Sequence, residues 1–297
     1  MPHHEPPIST GSARVSPLTK RGSRAARARG RFFRLLAGAA VLACGGLLTG
    51  CIPQETANQM AQSDSVLGPL FNKPSERDAV AWANDEFNAD KRARGTAMLA
   101  NSANGDNPKY VDYLYVKHLA DPDASVRSVA AIALALHGTP DNVPQLIPLL
   151  KDKDRSVRRS ALVALQRLHN PLAVTALLEA ADPAIEFESS VRAEAVDALG
   201  QYPEQRVLQR LIAALDDPQL IVNQAAHSSL RTLTGQDMPA DRRLWAGWAK
   251  DNSSPFAART AYTYPAFSRE RFWSEYLPFI SPPPNEEAGQ PIGAPPV

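Results

Sequence analysis

Four segments of the chain share one pattern of apolar and polar positions. Each begins with a valine, has an alanine four residues later and a leucine eight residues later, and has a small residue just before that leucine. Residues spaced by four lie on one face of an α-helix, so the pattern predicts a helix with one apolar face. The alanine gives that face a small side chain at its centre. The segments begin at Val126, Val157, Val191 and Val222, which are 31, 34 and 31 residues apart.

A second apolar helix is predicted to follow in the repeats. Seventeen residues after each of the first three valines, apolar residues occur at positions i, i+3 and i+4. The residues that separate the two helices are helix breakers: Gly138 and Pro140, Asn170 and Pro171, and Gly200 and Pro203. A lone helical hairpin leaves its apolar face in water, so the hairpins must stack. The predicted fold is therefore an all-α solenoid of stacked helical hairpins.

These segments resemble a known repeat family. An acidic turn, then Val-Arg, an alanine-rich helix ending in leucine and a leucine-rich second helix are typical of HEAT-like repeats of the phycobilisome-lyase type. The resemblance covers residues from about 116 to 236. Nearer the N-terminus, Lys91-Arg92, Gly95 and Leu99 take the places of Val-Arg, alanine and leucine. We therefore predict a degenerate earlier copy with a second helix over 110–119, preceded by a helix over 75–87.

The N-terminal region carries a targeting pattern. Seven basic residues and no acidic residue in 20–34 precede an apolar stretch over 35–48. With 14 residues, the stretch is too short to span about 30 Å of hydrocarbon and has the length of a signal-peptide core. The residues where it ends are Leu48, Thr49, Gly50 and Cys51. They resemble the lipobox of bacterial lipoproteins, which implies cleavage before Cys51 and attachment of diacylglycerol to its thiol.

Two alternatives to this lipobox stay open: an ordinary signal peptide or short signal anchor with a chance cysteine, and a weaker match ending at Cys44. If Cys51 carries lipid, the mature chain has no cysteine left for a disulfide, a metal site or a nucleophile. One predicted partner is then a lipid bilayer, bound through acylated Cys51, and the predicted location is the cell envelope. In a cell with two membranes, Ile52 after the lipidated cysteine resembles the signal for the outer membrane, facing the periplasm.

Five regions follow from these patterns. They are a lipoprotein signal peptide (1–50), a flexible tether (51–73), the repeat solenoid (74–236), an aromatic-rich capping segment (237–280) and a proline-rich disordered tail (281–297).

The charge of the chain argues against nucleic acid as a partner. The chain has 32 Lys and Arg and 31 Asp and Glu, but eight of the basic residues and one acidic residue lie in 1–50. The remainder therefore has a net charge of about −6, which repels a phosphate backbone.

Polar residues next to the pattern valines form a ladder, made of Arg127, Arg158, Arg192 and Asn223. Five residues before each valine lies an acidic residue, in order Asp121, Asp152, Glu186 and Asp217. We interpret these acids as caps of the first helices and as ion-pair partners of an arginine in the same or the next repeat. A stripe that binds an anionic ligand is the alternative. The regular spacing favours the structural role.

No set of residues predicts catalysis. The histidines after the signal peptide, His118, His137, His169 and His227, occupy different positions in the repeat. HEAT-like hydroxylases resemble this chain in fold but hold iron through repeated His-Glu pairs, which are absent after the signal peptide. Neither a Gly-x-Ser-x-Gly nucleophile elbow nor a glycine-rich phosphate loop occurs. We therefore expect no metal, no cofactor and no enzymatic activity.

Aromatic residues concentrate after the last repeat. Trp245 and Trp248 lie one turn apart in a predicted short helix, and Tyr262, Tyr264 and Trp273 follow. We expect this segment to cap the end of the solenoid, because an exposed aromatic patch of that size favours aggregation. Binding of a glycan or peptide is the alternative.

Together these observations favour a non-catalytic envelope lipoprotein whose repeat surface binds an unidentified protein partner as a scaffold or assembly factor. A chromophore-lyase-like or hydroxylase-like enzyme is the alternative that the wider family implies. Carbohydrate binding by the C-terminal aromatics is a second alternative.

Overall fold

Helices follow one another from residue 76 to residue 251. The computed structural model describes residues 74–265 and 288–297, so the signal peptide, the lipobox and the tether lie outside the described residues. In chain order the helices are α1 (Glu76–Ala83), α2 (Ala89–Ala100), α3 (π-helical over Lys109–Tyr115, α-helical over Val116–His118), α4 (Ala124–His137), α5 (3₁₀ over Pro140–Asn142, α-helical over Val143–Leu146, 3₁₀ over Ile147–Lys151), α6 (Arg155–Arg167), α7 (3₁₀ over Pro171–Ala173, α-helical over Val174–Ala180), α8 (Ser189–Leu199), α9 (Gln205–Ala214), α10 (Leu220–Thr234) and α11 (Arg242–Asp251). Among the described residues, no helix has the length and apolar character needed to cross a membrane.

The helices form two layers. In the first layer α1, α2, α4, α6, α8 and α10 lie side by side, each in contact with the next. In the second layer α7 lies between α5 and α9, and α9 contacts α11. Each of α5, α7 and α9 also packs against the first-layer helix that follows it in the chain. This arrangement is an α-solenoid of helical hairpins, which confirms the predicted fold class.

The core lies between the two layers and is built from the repeat pattern. The pattern valine, alanine and leucine are fully buried in all four copies, because they form the side of each first helix that faces its neighbours. These residues are Val126, Ala130, Leu134, Val157, Ala161, Leu165, Val191, Ala195, Leu199, Val222, Ala226 and Leu230.

Prolines shape the second helix of the first clear repeat. Pro144 and Pro148 lie inside α5, and proline has no backbone N–H to donate to the carbonyl one turn earlier. A single α-helical turn is therefore flanked by 3₁₀ turns in α5.

The predicted degenerate copy forms a hairpin of α2 and α3. Gly95 and Leu99 are buried on α2, at the positions of the pattern alanine and leucine. The helix predicted before it is α1, which begins after Ser75. The Ser75 side chain accepts a hydrogen bond from the Asp78 amide, and the Asp78 carboxylate accepts one from the Ser75 amide. This capping box gives a partner to backbone amides at the start of the helix.

The first part of the predicted capping segment belongs to the repeat array. Helix α11 packs against α9, and its Trp245 ring meets the His227 ring of α10 edge to face with centroids 6.4 Å apart. It occupies the place of the second helix of a fifth hairpin. The helical array therefore extends past the predicted boundary at 236, because α11 packs against α9 and its Trp245 packs against α10.

The prediction of a disordered tail over 281–297 is wrong for residues 288–297. Ile292 forms an isolated parallel bridge with Leu168, just after α6, and Gly289 pairs with Tyr264. Pro291 is buried against the solenoid. Proline-rich segments have little backbone entropy to lose, so a few contacts are enough to dock one.

Candidate protein-binding surface

The ladder arginines join consecutive turns of the solenoid. Each guanidinium makes two hydrogen bonds to the carboxylate of the following turn, through Nε and Nη2, and donates from Nη1 to carbonyls of its own turn. The ion pairs, with Nε to carboxylate oxygen distances, are Arg92–Asp121 (2.8 Å), Arg127–Asp152 (2.7 Å), Arg158–Glu186 (2.6 Å) and Arg192–Asp217 (3.0 Å). The first of these was not predicted, although Arg92 aligns with the other arginines in the degenerate copy.

Burial and charge act against each other at two of these carboxylates, Asp121 and Asp152. Burial alone would raise the pKa of Asp121, but hydrogen bonds from Arg92 and from the Asp123 amide, with the charge of Arg92, lower that pKa below its ordinary value. The same balance with Arg127 lowers the pKa of Asp152. Asp121 and Asp152 therefore stay ionised at neutral pH, and their ion pairs connect neighbouring repeats.

The ladder acids do not cap the first helices, so that part of the prediction is wrong. At α4 the cap is Asp123, whose side chain accepts from the Ser125 amide at 2.8 Å. At α6 it is Asp154, which accepts from the Ser156 amide at 2.8 Å. The ladder acids instead accept a hydrogen bond from the amide two residues later, as Asp152 does from Asp154. Their ion-pair partner is the arginine of the preceding repeat, as Asp152 binds Arg127, so the prediction of a partner in the same or the next repeat is also wrong.

Asn223 closes the ladder. Its side-chain amide donates to the carbonyls of Ala214, Leu215 and Asp217 at 3.1, 2.7 and 2.9 Å. The neutral amide donates only to backbone carbonyls near its own turn and forms no ion pair with a carboxylate of a following turn. The ladder positions are thus occupied by contacts within the fold.

The C-terminal aromatics separate into two groups. Trp245 is fully buried, donates from Nε1 to the Pro239 carbonyl at 2.9 Å and lies 5.9 Å from the half-buried Trp248 ring. Tyr262 and Tyr264 lie farther along, where the chain crosses the ends of α8 and α6. Trp273 lies outside the described residues.

A half-buried carboxyl under this crossing was not predicted. The Tyr262 hydroxyl donates to Oδ2 of Asp197 at 2.6 Å. Burial raises the pKa of Asp197 to about 6, the Tyr262 hydrogen bond opposes that rise, and the nearby Glu194 charge adds to it. The sequence signal is only an acidic residue in α8, and its partner lies 65 residues later.

Each repeat histidine has a partner within the protein. His118 is 2.9 Å from Thr96 Oγ1, His137 is 2.6 Å from the Ala100 carbonyl, and His227 is 2.7 Å from the Met238 carbonyl. His169 is 3.1 Å from Gln201 Oε1. Within 74–265 and 288–297, no three His, Cys, Asp or Glu side chains are grouped so as to hold a metal ion.

Large apolar side chains are exposed at two adjacent turns, the one before α8 and the one before α10, where Leu220 and Ile221 are the first residues of the helix. Phe187 is 83% exposed. The Arg192–Asp217 pair joins the two turns, so the exposed side chains share one edge of the solenoid. A cleft of about 320 Å³ lies beside the turn before α8. It is lined by Ile185 and Phe187 of that turn, by apolar residues of α5 and α7, and by the charged residues Lys151, Asp152, Arg158, Glu179 and Glu186. We define the apolar patch as Ile185, Phe187, Leu220 and Ile221.

The apolar patch was not predicted from the sequence, although the alignment contains a signal for it. The positions of Leu220 and Ile221 carry only polar or small residues in the three preceding clear copies. The signal is the replacement of polar or small residues by leucine and isoleucine at the first two positions of the helix.

Family models match the repeat region in two segments. Residues 114–188 match the model described as HEAT repeats, and residues 191–217 match the model described as PBS lyase HEAT-like repeat. The chain contains HEAT-like repeats. Helices packed as hairpins continue past the matched residues on both sides, with α2 and α3 before them and α10 and α11 after them.

Several solved structures are similar to the chain. A designed armadillo repeat protein is 18% identical and covers 59% of this chain and 89% of its own, with a TM-score of 0.43. An engineered protein is 19% identical and covers 60% and 88%, with a TM-score of 0.43. The Escherichia coli protein YibA is 18% identical and covers 79% and 100%, with a TM-score of 0.40. Comparison with curated proteins finds no match.

Proposed function

We propose that this chain is a lipid-anchored envelope protein that acts as a non-catalytic scaffold by binding a partner protein. The HEAT-like solenoid supports the scaffold role, because stacked repeats present an extended surface. The lipobox resemblance at Cys51 supports the anchor, and the tether predicted over 51–73 leaves the solenoid free to reach a partner near the membrane.

The apolar patch is the observation that carries this proposal. Its side chains lie at two consecutive turns rather than singly, and a cleft adjoins the part formed by Ile185 and Phe187. Grouped exposed apolar residues on a soluble domain mark sites of protein interaction, with large aromatic side chains contributing most. Phe187 is therefore the expected centre of the contact.

The ladder supports a scaffold because it provides rigidity at the same edge. The turns that carry the apolar patch are held together by Arg192 and Asp217, while Arg158 holds Glu186 beside Phe187. A rigid surface loses little conformational entropy when a partner binds, which favours tight binding.

A Phe187→Ser chain is expected to recover its partner at least about 10-fold less well than wild type, because burial of an aromatic ring in an interface contributes well over 1.4 kcal/mol. The measurement is affinity purification of the tagged lipoprotein from detergent-solubilised membranes, with quantitative mass spectrometry of the co-purified proteins. The matched control is Phe87→Ser, since Phe87 occupies the aligned position in the turn before α2 and is also exposed. Equal recovery of the same partner by both variants and wild type would exclude the apolar patch as the binding site.

A Cys51→Ser chain is expected to remain an unlipidated precursor, because serine lacks the thiol that receives diacylglycerol. Incorporation of labelled palmitate and mobility on a denaturing gel measure this. The control is Cys44→Ser, which leaves the proposed lipobox intact and should be processed normally. Labelled Cys51→Ser protein of mature size would instead assign the anchor to Cys44.

A further inference from the structure

A short C-terminal segment pairs with the solenoid through its backbone. Residues 288–297 lie against the turns after α4 and α6, at the opposite end of the first-layer helices from the apolar patch. The Ile292 amide donates to the Arg167 carbonyl at 2.8 Å, and the His169 amide donates to the Ile292 carbonyl at 2.9 Å. This exchange is the pattern by which an extended peptide adds to a strand edge.

The contacts around this pairing select small residues at two positions. Gly293 has a φ of +84°, in the left-handed region, and a Cβ there would lie 2.6 Å from Cγ of Pro140. The Gly289 carbonyl accepts from the Tyr264 amide at 2.9 Å, and a Cβ at Gly289 would lie 2.5 Å from the Tyr264 hydroxyl oxygen. With Pro291 buried between them, the surface is complementary to the pattern Gly-x-Pro-x-Gly.

The surface beneath the segment is held together without it. The His169 ring stacks on the Tyr202 ring with centroids 4.7 Å apart. The Tyr202 hydroxyl donates to the Asn170 carbonyl at 3.2 Å, and the Asn170 side-chain amide donates to the Pro140 carbonyl at 3.0 Å. These bonds connect the turns of three consecutive repeats. We therefore expect this surface to keep its shape when the segment leaves.

The segment itself is held mainly at its backbone. The Ile292 side chain points outward and is 51% exposed, and Val297 is exposed as well. A segment bound in this way adds little to the core, so we expect the solenoid to stay folded when the segment is removed.

The surface under residues 288–297 is formed by Pro140, His169 and Tyr264, and we call it the C-terminal groove. We propose that residues 288–297 are a removable ligand of this groove. In their place, the groove takes an extended Gly-x-Pro-x-Gly segment of a partner protein. The site is separate from the apolar patch, and its test does not involve Phe187. It adds to the proposed scaffold a second binding site that opens when the protein's own C-terminus is displaced.

The test uses the full chain with Gly293→Val, which removes the left-handed turn and clashes with Pro140. The probe is a fluorescent decapeptide with the sequence of residues 288–297, followed by fluorescence anisotropy. The variant chain is expected to bind the peptide at least about 10-fold more tightly than wild type, because a tethered segment competes at an effective concentration on the order of mM. The His169 amide should exchange with solvent faster in the variant and slow again when the peptide is added.

Two altered peptides serve as controls. A peptide carrying Gly293→Val should not bind, and a peptide carrying Ile292→Thr should bind the variant chain as well as the original, because that side chain points outward. Absence of saturable binding to the variant chain, or equal binding of the Gly293→Val peptide, would overturn the proposal. Unfolding of the variant chain would also overturn it, since residues 288–297 would then be an integral part of the fold.

Discussion

An Arg192→Met chain is expected to lose about 3 to 5 kcal/mol of its free energy of unfolding. Arg192 and Asp217 form the most buried pair of the ladder, with side chains 5% and 3% exposed. Without the guanidinium, the Asp217 carboxylate stays buried without its cation, and the carbonyls of Glu186 and Phe187 lose their donor. Urea unfolding followed by far-ultraviolet circular dichroism measures the loss.

The matched control is Arg242→Met. Arg242 pairs with Asp216 at 2.9 Å, but these side chains are 53% and 58% exposed, so this loss should stay below about 1 kcal/mol. A double variant with Arg192→Met and Asp217→Leu should regain part of the stability, because no unpaired charge remains in it. Equal losses for Arg192→Met and Arg242→Met would show that the buried ladder does not hold the repeats together.

A Leu165→Ala chain is expected to lose about 2 to 5 kcal/mol, from lost burial and from the cavity that remains. Leu165 is fully buried on α6, which lies between α4 and α8, so neither neighbour can move in freely to fill the space. The drop in the urea midpoint at unchanged slope measures the effect.

Leu172→Ala is the control for this substitution, since Leu172 is 66% exposed in the turn that opens α7. Its loss should stay within about 0.5 kcal/mol. Equal losses at Leu165 and Leu172 would contradict the assignment of the pattern leucines to the core.

The helices of the solenoid were predictable because their signals are local. Apolar residues four apart define the buried face of α6 before anything is known of its neighbours, and Val157, Ala161 and Leu165 are all fully buried. The same spacing located α2 through Gly95 and Leu99, even where Lys91 replaces the valine. Prolines and glycines marked where the helices end, since proline cannot donate to a preceding turn.

The candidate sites were less predictable because they depend on which turns become neighbours. Phe187 and Leu220 are 33 positions apart in the sequence and form one patch only after α8 and α10 stack. Asp197 is one of several polar residues of α8, and only the contact with Tyr262 distinguishes it from the others. Such pairs have no fixed spacing, so no pattern along the chain reveals them.

The sequence by itself determined the repeat period, the helical hairpins and their buried faces, because each depends on residues within one or two helical turns of one another. Only the tertiary structure decided which arginine meets which acid, where Trp245 packs and that residues 288–297 dock on the solenoid. An acidic residue such as Asp152 lies close in sequence to Arg158, yet its carboxylate binds Arg127 of the preceding repeat. Stacking brings Nε of Arg127 to 2.7 Å from an Asp152 carboxylate oxygen. In the same way, Arg158 pairs with Glu186 of the repeat that follows it.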